Sequence, residues 1–206
     1  MKTLLYNRLL NYNFKELFEK KGYAYFEKGA YNLNIIGIRT NNNNKVTNLF
    51  DDLLVVTYKT NDNKWVRQIY TITTEPGYYY MAQHLMNSKG TAILVPGQYR
   101  GCWQIGKHRG KYEALCQKKP IKVYRDNNMN DIYDLKPETI DKGIFGVNIH
   151  RASQIKPTTT VDKYSAGCQV FSRPQEFNAF MRLCKLQKDI YGNSFTYTLI
   201  NEEDLW

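Results

Sequence analysis

Residues 144–171, IFGVNIHRASQIKPTTTVDKYSAGCQVF, form the stretch that decides the fold around a candidate site. An apolar run ends at His150, a polar loop with one proline follows, and a turn of small residues, 165–167, leads into Cys168. Alternation and β-branched content predict a strand that ends at the histidine and a second strand over residues 168–171. Strands placed in this way bring the histidine and the cysteine together in space.

A cysteine beside a histidine is a candidate nucleophile with its base. The thiolate is the reactive form of cysteine, and a neighbouring imidazole is the usual means of holding it ionised near neutral pH. For His150 or Cys168 alone, the ordinary expectation is a hydrogen-bonded structural histidine or a buried thiol. The turn Ser165, Ala166, Gly167 favours an active site, because it leaves backbone N–H groups free to bind an oxyanion. One such hydrogen bond stabilises a transition state by roughly 3 kcal/mol. We therefore predict an active site.

A neighbouring amide on the same strand has two interpretations. Asn148 shares a strand face with His150 and could orient the imidazole, although a backbone carbonyl could do so equally well.

Length and composition indicate one globular domain of the β-rich α+β class. The chain has 206 residues, of which 42% are hydrophobic and 23% charged, and 17 are tyrosines. A chain of this length buries about 70% of its unfolded surface. Tyrosine and asparagine favour strands and turns. We predict a short helical N-terminal extension, residues 1–22, and a mainly β catalytic domain, residues 23–206.

Helix signals occur at both ends of the chain. Asn13 followed by Glu16 has the form of a capping box inside a helical region broken into two pieces. Near the C-terminus, Ser172 is predicted to cap a helix with Gln175 closing the box, and Gly192 to end it. Apolar runs between them predict strands at 34–38, 53–58, 65–72, 78–81, 92–95 and 121–124, and a closing strand is predicted after the last helix at 195–200.

Cysteine and histidine spacing gives no metal site or cofactor. Cys102, Cys116 and Cys184 are predicted to be small buried thiols, since no CxxC pair is present and a chain of this length needs no disulfides. The histidines are scattered, without HxH or HExxH spacing. No apolar stretch approaches the ~20 residues of a membrane helix. The N-terminus is interpreted as amphipathic helix instead of signal peptide, so no location is assigned.

The net charge of +10, from 29 Lys and Arg against 19 Asp and Glu, predicts an anionic partner. Nucleic acid, anionic lipid and bacterial wall polymer all meet that description. The basic residues are dispersed and no nucleic-acid motif stands out, which disfavours nucleic acid.

The stretch around the cysteine resembles the signature of the L,D-transpeptidase catalytic domain (YkuD-like) family: a histidine at a strand end, a loop, then Ser/Thr-His-Gly-Cys. His150 matches the first histidine, and Ser165, Gly167 and Cys168 match the last part. A looser likeness extends over residues 53–200. The resemblance implies a YkuD-like β-sandwich or barrel with a helix packed after the catalytic cysteine.

Three positions depart from the family pattern. Ala166 stands where the family has a histidine, Val170 where it has a polar residue, and Arg151 where it has a small one. The nucleophile and its base are retained, whereas the substrate contacts and the acyl acceptor are put in question. Gln169 or Arg173 could take over contacts to a substrate carboxylate, although a solvated surface position is the plainer interpretation for Arg173. Arg151 is a further candidate for orienting the site or contacting the substrate.

The resemblance implies a cysteine enzyme that acts on peptidoglycan stem peptides through a thioester, as a transpeptidase or as a hydrolase. Anionic wall polymers would then be its surroundings. The missing signal peptide and the composition rich in Asn, Lys and Tyr suggest a phage-borne enzyme as a hypothesis. Two alternatives stay open: an inert basic module that binds wall or nucleic acid, and a cysteine amidase or endopeptidase of another fold.

Overall fold

The computed structural model describes residues 2–206, with side chains from residue 4 onward; Met1, in the predicted extension, lies outside the described residues. The architecture is mainly β, as predicted. The strands are β1 (Asn34–Arg39), β2 (Asp52–Lys59), β3 (Trp65–Thr73), β4 (Thr91–Leu94), β5 (Gly97–His108), β6 (Tyr112–Gln117), β7 (Ile121–Asp126), β8 (Asp141–Gly143), β9 (Ile149–Arg151), β10 (Gln169–Phe171) and β11 (Phe195–Asn201).

Eight of these strands close into a barrel in the order β1-β11-β5-β6-β9-β10-β3-β2, and β4, β7 and β8 form a separate sheet. β1 pairs parallel with β11, and β9 with β10, while the other barrel pairs are antiparallel. Closure removes free sheet edges, so the barrel offers no strand for pairing with another chain.

Large aromatic and aliphatic side chains fill the barrel interior. Trp103 and Tyr197 are fully buried and meet edge to face with ring centroids 5.5 Å apart. The indole N–H of Trp103 donates to the carbonyl oxygen of Val147 at 2.8 Å, so this ring has its polar atom satisfied. The aromatic pair thereby ties β5 and β11 to the segment that leads into the candidate site.

Two N-terminal helices, α1 (Lys2–Leu10) and α2 (Phe14–Lys20), cover the outer face of β1 and β2. The predicted cap is confirmed, since the side chain of Asn13 accepts from the N–H of Glu16 at 3.3 Å. Both faces of β1 are buried as a result, which explains its continuous run of apolar residues.

The third helix, α3 (Pro174–Tyr191), packs its predicted apolar stripe against the barrel core. Its predicted cap is wrong. The hydroxyl of Ser172 donates to the carbonyl oxygen of Thr158 at 2.7 Å and does not bond to the helix. Arg173 occupies the capping position and makes no side-chain bond there. Gly192 ends the helix as predicted, with φ of 84°.

The predicted strand at 78–81 is also wrong. Residues Tyr79–Gln83 form a short helical turn, because the N–H groups of Tyr80 and Met81 both donate to the carbonyl oxygen of Gly77. Aromatic residues have strand propensity, but here local hydrogen bonds satisfy the backbone instead. Within residues 2–206, no helix is both long and apolar enough to cross a membrane.

Candidate active site

The two strands predicted around the loop are β9 and β10, and they lie side by side. They pair parallel, with His150 opposite Val170 and the N–H of Gln169 bonded to the carbonyl oxygen of Asn148 at 2.9 Å. Parallel neighbours need a long crossover, which residues 152–168 supply. The chain therefore returns the end of the loop, with Cys168, to the strand that carries the histidine.

Strand alternation divides these residues between two faces. Ile149 and Phe171 point into the barrel core, whereas His150 and Val170 point outward. His150 and Cys168 line one cleft of about 490 Å³ on the outer face of the barrel. The structure thus brings the two predicted residues into the same cleft.

The turn before the cysteine is built on Ser165 and Gly167. The Ser165 hydroxyl is fully buried, accepts from the N–H of Gly167 at 3.2 Å and donates to the carbonyl oxygen of Cys168 at 2.8 Å. Gly167 has φ of 118°, and a Cβ there would lie 2.2 Å from the carbonyl oxygen of Ala92. The N–H of Gly167 is thus already used, whereas that of Cys168 has no acceptor among the described residues.

The sulfur of Cys168 lies between two backbone groups. Its thiol donates to the carbonyl oxygen of Gly146 at 3.5 Å, and the N–H of Asn148 donates to the sulfur at 3.4 Å. Burial raises the pKa of the thiol to about 11. The free protein therefore holds a protonated thiol, not the thiolate that the sequence led us to expect.

His150 is held in one tautomer by a backbone oxygen. Its Nδ1 lies 2.9 Å from the carbonyl oxygen of Arg151, which can only accept, so Nδ1 carries the proton. The Tyr112 hydroxyl donates to the same oxygen at 3.1 Å. Burial, and then the neighbouring His108, lower the pKa of His150 to about 3. The ring is neutral at pH 7, with an unprotonated Nε2.

A second histidine, His108, belongs to the site and was missed in the sequence. Its ring stacks on His150 with centroids 4.0 Å apart and an interplanar angle of 23°. It stands at the end of β5, and only the barrel brings it near the other two residues. No local signal marks it, since the turn that follows it is ordinary hairpin sequence.

The structure separates the remaining predicted residues from the cleft, apart from Asn148. The amide of Asn148 contacts His108 at 3.1 Å, so the backbone alternative for orienting His150 is the one observed. Gln169 is fully buried and accepts from the Tyr197 hydroxyl at 2.7 Å, so its side chain does not line the cleft.

The two predicted arginines also lie away from the cleft. Arg151 places its guanidinium 4.1 Å from the centroid of the Tyr112 ring, so its backbone oxygen, not its charge, serves the site. The exposed Arg173 pairs with Glu176 at 3.3 Å. It therefore takes the solvated position that was the plainer interpretation and does not line the cleft, and its possible contact with a substrate carboxylate stays a prediction.

The electrostatic character of the cleft comes from arginine. Arg125 is held by Asp141 at 3.3 Å and donates to the carbonyl oxygen of Gly90 at 3.1 Å. Arg109 is exposed, has a left-handed backbone with φ of 50°, and forms no ion pair with any described residue. No carboxylate lines the described part of the cleft, so the cleft favours an anionic ligand group.

The other cysteines stay out of the site. Cys102 and Cys184 are buried as predicted, whereas Cys116 is partly exposed, and all are free thiols. No group of His, Cys, Asp and Glu that could hold a metal ion occurs among the described residues.

Fold and site together define a closed β-barrel with a cysteine and two histidines in an outer cleft. No protein-family model matches this chain, and neither a curated protein nor a solved structure does.

Proposed function

We propose that the chain is a cysteine-dependent enzyme that modifies peptidoglycan stem peptides, related in chemistry to the L,D-transpeptidases that its signature resembles. One observation carries the proposal: Cys168 and His150 line one cleft, and the Arg151 carbonyl oxygen binds Nδ1 so that Nε2 is left as the base. The parallel strands and the helix α3 after the cysteine agree with a YkuD-like domain, which we propose as its fold family.

The reaction begins with a neutral pair. As the sulfur of Cys168 attacks the peptide carbonyl, its proton passes to Nε2 of His150. The Asn148 N–H that already donates to the sulfur stabilises the negative charge that develops there. The N–H of Cys168 is available to the oxyanion. Collapse of the intermediate breaks the C–N bond, His150 returns the proton to the leaving amine, and a thioester remains.

The thioester has two possible acceptors. An amine would complete transpeptidation, and water would complete hydrolysis; both reactions use His150 as base for the incoming nucleophile. The basic chain and the arginine-lined cleft suit a wall mesh rich in carboxylates and phosphates. A phage-borne enzyme that acts on the host wall remains part of the proposal.

The test is mass analysis of defined muropeptides incubated with the protein and with two variants. Cys168→Ala should abolish turnover. Cys116→Ala is the matched control, because this thiol is partly exposed and lies on the neighbouring strand β6. Undiminished turnover by Cys168→Ala would refute the proposal. The masses of the products show whether an amine or water accepted the acyl group. They also show which bond was cleaved, so they identify an amidase that cuts a different bond.

One observation favours the second candidate, an inert basic module that binds wall polymer. Ala166 lines the cleft at the position where the family signature has a histidine, so one polar group of that signature is missing from the site. Retention of intact muropeptides by both the protein and Cys168→Ala, without new products, would support this module. Nucleic acid is the less favoured ligand, since the basic residues are dispersed.

A further inference from the structure

His108 has no part in the reaction as described above, although it lies against the base. The ring is 8% exposed, stacks on His150 at 4.0 Å and lines the cleft that contains Cys168. Buried polar groups are as a rule hydrogen-bonded, so the partner of one ring nitrogen shows which nitrogen carries the proton. For His108 that nitrogen is Nδ1.

The partner of Nδ1 is fixed by the amide of Asn148. Its Oδ1 accepts from the backbone N–H of Gln117 at 2.9 Å, which sets the orientation of the amide. The NH₂ group therefore faces Nδ1 of His108 at 3.1 Å, and Nδ1 must accept. A neutral ring in this setting carries its proton on Nε2.

The charge state agrees with this assignment. Burial, and then Arg109, lower the pKa of His108 to about 4, so the ring is uncharged at pH 7. Nε2 bonds to no other described residue, and it is not among the described buried atoms that lack a partner. The Nε2–H is therefore open to a ligand in the cleft.

The two stacked rings consequently have opposite tautomers. His150 presents an unprotonated Nε2, which accepts a proton, and His108 presents Nε2–H, which donates a hydrogen bond. A ring already protonated on Nε2 cannot serve as base there. The base and the donor are thus distinct residues, each held in its tautomer by the protein.

We propose that His108 is the side-chain donor of the oxyanion site: its Nε2–H binds the carbonyl oxygen of the acyl group that Cys168 attacks. The sulfur forms a bond to the carbonyl carbon, the π electron pair moves to oxygen, and the thiol proton goes to His150. His108 gives up no proton. The N–H of Cys168 supplies the other donor. The inference rests on the proposed acyl chemistry but not on the identity of the wall substrate.

The experiment compares two reactions of the same sulfur at pH 9. Acylation by p-nitrophenyl acetate passes through an oxyanion, whereas alkylation by iodoacetamide does not. His108→Phe keeps a stacked ring and removes the donor, and His108→Gln keeps an N–H donor at similar reach. Peptide mapping assigns each product to Cys168.

For His108→Phe we expect the acylation rate to fall on the order of 10²-fold, with alkylation changed less than about 3-fold. His108→Gln should recover much of the loss. An equal fall in both rates, or no fall in either, would overturn the donor role. If the acylation rate alone falls and the protein leaves muropeptides unchanged, the donor role stands and the wall substrate is rejected. Failure of the donor role and failure of the proposed substrate therefore give different results.

Discussion

The protonation state of Cys168 makes the sharpest prediction about the free protein. With a pKa of about 11, the thiolate fraction at pH 7 is on the order of 10⁻⁴, roughly 300-fold below that of an ordinary cysteine. The cause is burial, and the single N–H donated by Asn148 does not offset it. Alkylation by iodoacetamide should therefore speed up about tenfold per pH unit from pH 7 to pH 10, without a plateau.

The assay is quenched alkylation followed by peptide mapping across that pH range. The protein unfolded in urea is the reference, because there the same thiol should show its ordinary midpoint near pH 8.5. Steric hindrance in the cleft lowers every native rate alike and leaves the shape of the profile unchanged. A native profile that is flat between pH 6 and pH 8 would show a preformed thiolate–imidazolium pair and would refute the reasoning.

Three further predictions concern the residues around the sulfur. The folded pKa values of His150 and His108, about 3 and about 4, lie below the unfolded value of about 6.5, so their contribution to stability is complete above pH 6.5 and is lost as the pH falls toward 4. For each histidine, the free energy of unfolding should fall by about 2 kcal/mol between pH 7 and pH 4.5. Urea unfolding of His150→Gln should therefore depend less on pH than unfolding of the wild type. An unchanged pH dependence would contradict this prediction. Gly167→Ala should lower the free energy of unfolding by about 2–4 kcal/mol, because the backbone has a positive φ and the added Cβ meets the Ala92 carbonyl oxygen. Thermal unfolding measures this change, and a midpoint equal to that of the wild type would contradict it. Arg109→Ala should raise KM for an acyl donor with a free carboxylate roughly tenfold at constant kcat, and an equal effect on the amidated donor would count against a carboxylate contact.

Much of the site region could be predicted because its signals are local. Residues near His150 and Cys168 carry strand patterns on both sides of one loop, and the strands β9 and β10 form at the two ends of that loop. Their parallel pairing was not predicted. Gly192 and Asn13 are end signals that depend only on adjacent backbone groups.

The features that were missed depend on contacts between distant segments. His108 reaches His150 only because β6 pairs with both β5 and β9 in the closed barrel. The hydroxyl of Ser172 was expected to cap α3, but it bonds to Thr158 across the loop instead. The protonated thiol follows from burial of Cys168, which no sequence pattern gives.

The short parallel ladder between β9 and β10 has a consequence for how the site is lost. Gln169 and Ala152 donate across this ladder, and both strands are also paired on their far sides, so neither can detach without opening the barrel. Their amide protons should exchange with solvent only through whole-domain opening. Heat inactivation and unfolding of the barrel would then occur together. Residues at the rim of the cleft can change without disturbing the strands that hold Cys168 and His150.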